Sequence, residues 1–485
     1  MRLRLEPFSR DEVAEIHAAT VRVLGGTGVR VLDPEAAFLL TQAGALPGAS
    51  AKVFRIPESL LADALGSAPR RFRLHGRGPG RVLAFGEGNT YLSSVGTAVQ
   101  VEDVAGDVGP ARLEDVERFY RLTDALPHID HSSWVVWPRD VPEEVGHLYE
   151  ILYGFRYTTK SFDGYNWGRR PALDTIEMAA IVAGGPDALA ARPLLLGFCN
   201  PVSPLTLAKE TTEGLIAFAR HGQPTTVPPE CMAGGTSPAT LAGSLVQQNS
   251  EILASVVIAQ LARRGAPILY GSASTVMDMK TGTVALGAPE AGLLMTASAQ
   301  LARHYGLPSR GTGGNTEALT SDYQAGAETF GTLLLAYLAG FDFIYDAAGS
   351  LESSLTAGYV KMILDHEVCG EVKRIAASIE VSEESLAAEV IEVAGPKGNY
   401  LGHPHTLRRF RAEHYAPDVF RRTSRSASRD AGEKSLWGRA RDRCEAILRD
   451  HVVDPPLDRE VETRLLEYVD AASKRYGVQR APAVA

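Results

Sequence analysis

A chain of 485 residues has room for one large domain with appendages or for two or three ordinary ones. With 45% hydrophobic and 22% charged residues it has the balance of a folded globular protein, which excludes a fibrous or disordered chain. Its formal charge of -9, from 49 basic and 58 acidic residues without a long basic run, argues against nucleic acid as a partner, because phosphate recognition needs clustered Lys and Arg.

The opening MRLRLEPFSRDEVAEIH leads into a charged amphipathic helix and lacks the apolar core of a secretory signal. Helices at 9–25 and 34–44 and a Gly-rich hairpin segment at 74–92 make residues 1–90 an α+β cap. From Tyr91 onward, short β-rich runs alternate with helical patterns. The predicted strands are YLSSV (91–95), SWVVW (133–137), TKSFDGY (159–165), PLLLGFC (193–199), QPTTV (223–227), PILYGS (267–272), LPSRG (307–311) and DFIYD (342–346). The helices between and after them fall at 112–125, 143–157, 172–184, 207–221, 239–264, 289–306, 322–340 and 350–375. Eight such repeats predict an α/β protein built on a closed parallel (β/α)8 TIM barrel over residues 91–375, not an open doubly wound sheet. Residues 376–485 are expected to be a C-terminal helical extension packed on the barrel, in which RRTSRSASRDAGEKS is a solvated loop. The most apolar stretch, GTLLLAYLAGFDFIYDAAG, is interrupted by Gly340, Asp342 and Asp346, so it reads as a helix and a strand and not as a membrane span. Four cysteines without a CxxC pair point to a reducing cytoplasm.

In a barrel of this kind, function sits where the strands end. The substrate-contact candidates there are Tyr91, Trp134, Tyr165, Trp167, Phe198, Asn200, Glu230, Tyr270, Arg310, Asn315 and Asp346. This is an aromatic mouth with few charges, suited to an alkylammonium ion, and each cation–π contact contributes ~0.5–2 kcal/mol once water is excluded. No catalytic acid, base or nucleophile and no metal is assigned. His403 and His405 form an HxH pattern with His414 beyond, but a third ligand at a recognised spacing is missing. DHEVCG (365–370) places its histidine one position early for a DxHxxG cobalt-binding loop, so this chain is not expected to hold cobalamin itself. RGTGGNTEAL lacks the third glycine of a GxGxxG phosphate turn. That leaves a barrel phosphate site, or a steric role in which the glycines let another large group come close.

The stretches CMAGGTSPATLAGSLVQQNSEILASVVIAQLARRGAPILYGSASTVMDMKTG (231–282), GAPEAGLLMTASAQLARHYGLPSRGTGG (287–314), SDYQAGAE (321–328) and GPKGNYLGHPHTLRRFR (395–411) resemble the trimethylamine methyltransferase family. IHAATVRVLGGTGVRV (16–31) and FRLHGRGPGRVLAFGEGNTYLSSVG (72–96) are similar to its N-terminal region, so the resemblance covers nearly the whole chain. It implies a barrel that passes a methyl group from a methylated amine to the cobalt of a corrinoid (cobalamin) presented by a separate corrinoid protein. Founding members carry pyrrolysine at the barrel mouth. Only standard residues stand here, so the chain resembles the non-pyrrolysine branch, which implies a quaternary amine such as glycine betaine as the methyl donor. A quaternary ammonium leaves as a neutral tertiary amine. Attack by Co(I) then needs no general acid, and a water-excluding pocket that holds the methyl in line is sufficient.

Where the family pattern reads Thr-Asp-Ser-Lys, this chain has Thr316, Glu317, Ala318 and Leu319, and loss of the lysine leaves the substrate open. Under the resemblance, Gly311, Gly313, Gly314, Thr316 and Glu317 are expected to give a docking corrinoid room; the competing reading of the glycines is a turn at positive φ. Arg310 is a candidate clamp for a betaine carboxylate or a structural partner of Glu328. Two other readings stay open: a methyltransferase of the same fold with another acceptor such as tetrahydrofolate, and a non-catalytic betaine-binding barrel. A cytoplasmic homo-oligomer with no membrane or nucleic-acid partner is expected.

Overall fold

The computed structural model describes residues 4–478, so the outermost residues of the predicted cap and extension, 1–3 and 479–485, lie outside the described residues. Eight parallel strands close into a barrel in chain order: β1 (Tyr91–Ser94), β2 (His131–Ser132), β3 (Ser161–Asp163), β4 (Leu195–Phe198), β5 (Thr225–Val227), β6 (Ile268–Gly271), β7 (Ser309–Thr312) and β8 (Phe343–Ala348). The ring is sealed where Phe343 and Ile344 of β8 pair with Tyr91 and Leu92 of β1. The crossover helices are α1 (Leu113–Ala125), α2 (Glu143–Tyr157), α3 (Arg169–Ala183), α4 (Lys209–Arg220), α5 (Leu241–Ala262), α6 (Pro289–Tyr305), α7 (Tyr323–Ala339) and α8 (Tyr359–Ala376). This is a (β/α)8 barrel.

Side chains alternate along each strand between the barrel interior and the helix layer. Leu196, Leu269, Phe343 and Tyr345 point inward and meet Leu74, Leu83 and Phe85 of a hairpin formed by Phe72–His75 and Val82–Phe85. That hairpin plugs the N-terminal ends of the strands. The intervening Leu195 and Ile344 pack in the helix layer on one side, and Ile268 and Tyr270 do so on the other.

The remaining N-terminal elements lean on α5. A helix over Arg10–Arg22 begins with a capping box in which Ser9 and Glu12 satisfy each other's backbone N–H groups. With the helix Glu58–Ser67 it covers the outer side of α5, so Ile252, Val256 and Ile258 are buried with Leu24, Leu40 and Leu61 in one cluster. The strand Val29–Val31 pairs in parallel with Thr206–Leu207, which ties these elements to the loop after β4. At the other terminus, the helix Leu436–Asp450 packs on α8 and α1, and Arg459–Arg475 packs on α2 and α3. Buried acids hold them there. Asp174 accepts from Tyr468, Arg475 and Tyr476, each at 2.7 Å, and Glu367 accepts from Tyr415 at 2.5 Å and from the Asp418 and Val419 N–H groups.

Two boundaries differ from those read from the sequence. The second strand ends at Ser132, so Trp134 and Trp137 belong to the loop that follows it. The eighth helix starts at Tyr359 instead of residue 350, because Glu352, Ser353 and Ser354 all have positive φ and Thr356–Gly358 pairs with Gln100–Glu102 as a strand. Among the described residues no helix is long and apolar enough to cross a membrane.

Candidate active site

At the C-terminal ends of the strands the loops enclose a cavity of about 390 Å³. One wall is aromatic. Trp134 stacks on Tyr165 with ring centroids 4.9 Å apart and planes at 23°, and Trp137 stacks on the same tyrosine at 5.6 Å and 29°. The Trp134 indole N–H donates to the Asp163 carbonyl at 2.9 Å, which fixes the ring. Trp137 lies against Gly146 of α2, where a β-carbon would come within 2.7 Å of the indole.

The floor is built around Arg310, which β7 points into the barrel and which is almost wholly buried. Its Nη1 donates to the Ser272 carbonyl at 2.9 Å and to the Thr312 hydroxyl at 2.8 Å. The guanidinium lies 4.4 Å over the Tyr345 ring and 5.5 Å from that of Phe198. Its Nε has no protein partner, and no carboxylate among the described residues forms an ion pair with it. Glu328 is engaged elsewhere, accepting from the Thr316 hydroxyl, the Glu317 N–H and Gln324. Tyr345 is itself anchored: its hydroxyl donates to Asp163 at 2.8 Å, and Asp163 meets His131 Nε2 at 3.1 Å. The other ring nitrogen of His131 faces Ser161 at 2.9 Å.

Two further carboxyl groups face the space. Asp346 follows Tyr345 and would point outward in a regular strand, but its φ of 62° turns the side chain into the cavity, where it accepts from the Gly96 N–H and from Asn315. Burial raises its pKa above the ordinary carboxylate value, opposed by the charge of Arg310. Glu230 opens onto the cavity but is otherwise closely surrounded by protein. That desolvation also raises its pKa, again opposed by Arg310. Asn200 lines the same cavity with a side-chain oxygen that has no partner.

Of the residues predicted from the sequence, Trp134, Tyr165, Trp167, Phe198, Asn200, Glu230, Arg310 and Asp346 come together around this cavity. Asn315 stands behind Asp346 and Ser354, with a hydrogen bond to each. Tyr91 and Tyr270 do not reach it. Tyr91 is the first residue of β1, roughly 10 Å of strand below the mouth at about 3.3 Å per residue, and its hydroxyl accepts from Ala84 in the plug hairpin. Tyr270 faces outward, where its hydroxyl donates to Asn249 of α5 and its ring stacks on Tyr305 of α6.

The glycine loop departs from the docking expectation. A β-carbon on Gly311 would strike the Phe341 ring at 2.3 Å, and one on Gly313 would come within 3.0 Å of Ala336 in α7. At Gly314, with φ of 94°, it would meet the Asp346 carbonyl oxygen at 2.5 Å. These glycines therefore make room for the protein's own backbone and side chains. Thr316 is buried against Glu328, and Glu317 accepts from the Gly287 N–H and the Ser353 hydroxyl, so neither forms an open platform above the barrel. His403 caps the helix Pro404–Glu413 by accepting from the His405 N–H, and His366 is stacked on His128 within the protein.

Sequence reasoning missed Asp163, Asn166, Thr312 and Tyr345, all of which line the cavity. Strand alternation is the signal that finds two of them, since an inward Phe343 makes Tyr345 inward and an inward Arg310 makes Thr312 inward.

The trimethylamine methyltransferase (MTTB) family model matches residues 2–477. The chain is 33% identical over 473 residues to the glycine betaine methyltransferase of Desulfitobacterium hafniense strain Y51, covering 97% of this chain and 98% of that protein. It is 35% identical over 478 residues to a trimethylamine methyltransferase of D. hafniense strain DSM 10664 / DCB-2, covering 98% and 96%. The crystal structure of the Methanosarcina barkeri monomethylamine methyltransferase superposes with a TM-score of 0.54 at 12% identity, over 93% of this chain and 89% of that one, a likeness of fold.

Proposed function

The chain belongs to the trimethylamine methyltransferase family, and from that premise we propose that this methyltransferase takes a methyl group from a carboxylated quaternary amine of the glycine betaine class and passes it to the Co(I) corrinoid of a separate cytoplasmic protein. One observation carries the reading: the same cavity holds an aromatic stack and a buried guanidinium without a carboxylate partner. Arg310 receives the carboxylate through charge-assisted hydrogen bonds. The faces of Trp134, Trp137 and Tyr165 receive the methylated ammonium. Glu230 and Asp346 add negative potential where the cation rests. The corrinoid supplies the nucleophile when its carrier docks. The protein's own work is to orient one methyl toward the mouth and keep water out.

The surface we assign to the carrier is the rim of the mouth. Trp167, Val202, Met279, Leu319, Tyr323 and Leu355, each more than half exposed, fall in the loops after β3, β4, β6, β7 and β8 or at the start of α7. An apolar rim around a charged cavity suits the edge of a macrocycle and the protein that holds it.

Mixing the protein with a reduced corrinoid protein and glycine betaine should convert the Co(I) absorption spectrum to that of methyl-Co(III). Betaine binding without that conversion would favour a non-catalytic barrel, and transfer to tetrahydrofolate without corrinoid would favour the other acceptor.

Trp134→Ala is expected to weaken betaine binding by ~0.5–2 kcal/mol by calorimetry, with smaller losses for the more exposed Trp167. If single alanine replacements of Trp134, Trp137, Tyr165 and Trp167 are all neutral, the aromatic site is wrong. A pH dependence follows from Glu230. Its raised pKa means that lowering the pH neutralises it before an ordinary surface carboxylate, so betaine affinity should fall on acidification through that pKa and rise again above it. Glu230→Gln should flatten this part of the profile and hold it at the low-pH affinity.

A further inference from the structure

Helix α2 buries an unbroken run from Val145 to Phe155, and His147 lies inside it. An imidazole taken out of water costs free energy unless its polar atoms are met. Its Nε2 meets Asp174 Oδ2 of α3 at 3.5 Å. Burial lowers its pKa against the pull of that carboxylate, so at neutral pH the ring is uncharged. Asp174 is itself fully buried, and it is shared with Arg170 and with three residues of the C-terminal extension, Tyr468, Arg475 and Tyr476. Tyr476 also sets its ring edge-on to the imidazole, with centroids 5.5 Å apart and planes at 80°.

His147 lies outside the cavity lining, but it packs on a residue that belongs to it. Its ring rests on Tyr165 at 5.3 Å between centroids and 33° between planes. Tyr165 is the ring on which both Trp134 and Trp137 stack. Neither the Tyr165 hydroxyl nor the Trp137 indole N–H forms a hydrogen bond among the described residues, so packing alone sets those two planes. The plane matters to a cation. An aromatic ring is negative on its face and positive at its edge, so a ring that tilts trades attraction for repulsion. A neutral imidazole against Tyr165 fixes that tilt, whereas a charged one would compete with the substrate for the same π-system.

We propose that His147 is a positioning residue for the substrate ammonium. Braced by Asp174 and Tyr476, it holds Tyr165, and through Tyr165 the two indoles, at the angle a methylated cation needs. The helix Arg459–Arg475 and the tyrosine that follows it thereby support the binding site from outside the barrel. This role rests on the ammonium site proposed above and names what keeps that site in shape.

Calorimetry with glycine betaine, at a temperature where each variant is folded, reads the effect. His147→Leu keeps an apolar bulk but neither the flat face nor the tie to Asp174, and should weaken binding about 2- to 30-fold, the span of one cation–π contact. His147→Phe returns a flat ring and should recover most of that loss. Tyr476→Ala, at the less buried end of the chain of contacts, should weaken binding as well. Combined with His147→Leu it should cost nothing more, because Tyr476 acts through the imidazole. Variants with lower melting temperatures but wild-type betaine affinity would leave these residues a purely structural role and overturn the proposal. So would a double variant whose loss is the product of the two single losses. A wild-type protein that binds no betaine would overturn it together with the reading of the site on which it rests.

Discussion

Arg310→Lys is expected to bind glycine betaine about 10- to 150-fold more weakly, the equivalent of the ~1.5–3 kcal/mol that a hydrogen bond to a charged group contributes. Lysine keeps the positive charge and can still reach the Ser272 carbonyl or the Thr312 hydroxyl, the two groups that hold Nη1. It cannot reproduce the flat guanidinium over Tyr345, nor offer a carboxylate the paired donors of Nε and a terminal nitrogen. Choline supplies the control because it carries the same trimethylammonium group without the carboxylate. Calorimetry of both ligands on both proteins decides the matter. A selective loss for betaine supports the clamp, and equal losses would leave Arg310 as a structural cation whose removal distorts the floor.

Gly314→Ala should destabilise the protein by about 2–5 kcal/mol, measured by denaturant unfolding. About 1–2 kcal/mol of this is the cost of holding an L-residue at positive φ. The rest comes from forcing β8 away to relieve a 2.5 Å contact with a backbone oxygen, which a well-packed interior resists at ~1–3 kcal/mol. Methyl transfer per folded molecule should stay close to wild type. Gly326→Ala in α7 is a control: the added carbon meets nothing within 4 Å, and the change should be stabilising by ~0.5–1 kcal/mol. A Gly314→Ala protein of wild-type stability with impaired transfer would return the glycine loop to a role in docking.

The barrel was readable because its signal is local and repeated. Each βα unit carries its own punctuation in a short β-rich run, a polar or aromatic end and an amphipathic helix, and eight such units in series leave few alternatives to a closed parallel ring. The aromatic character of the mouth was legible for the same reason, since Trp134, Tyr165, Trp167 and Phe198 all stand at or just beyond strand ends. Nearness to a strand end in the chain, however, does not say which way a side chain points. Tyr270 follows the inward Leu269 and so faces the helices, and Tyr91 begins its strand and so sits at the plugged end. Those two placements follow from strand alternation and direction once the strand boundaries are known.

Other features were decided only by the assembled structure. Asp346 enters the cavity because a left-handed backbone turn breaks the alternation after Tyr345, and nothing in DFIYD announces that turn. The partner of Arg310 depended on where Glu328 came to rest, which was against Thr316 and the Glu317 N–H, leaving the guanidinium unpaired by acid. The glycines of RGTGG are determined by the sequence as places where the backbone comes close to something. What comes close is Phe341, α7 and the carbonyl of Asp346, contacts between segments about 20 to 30 residues apart that exist only after β7, α7 and β8 have packed.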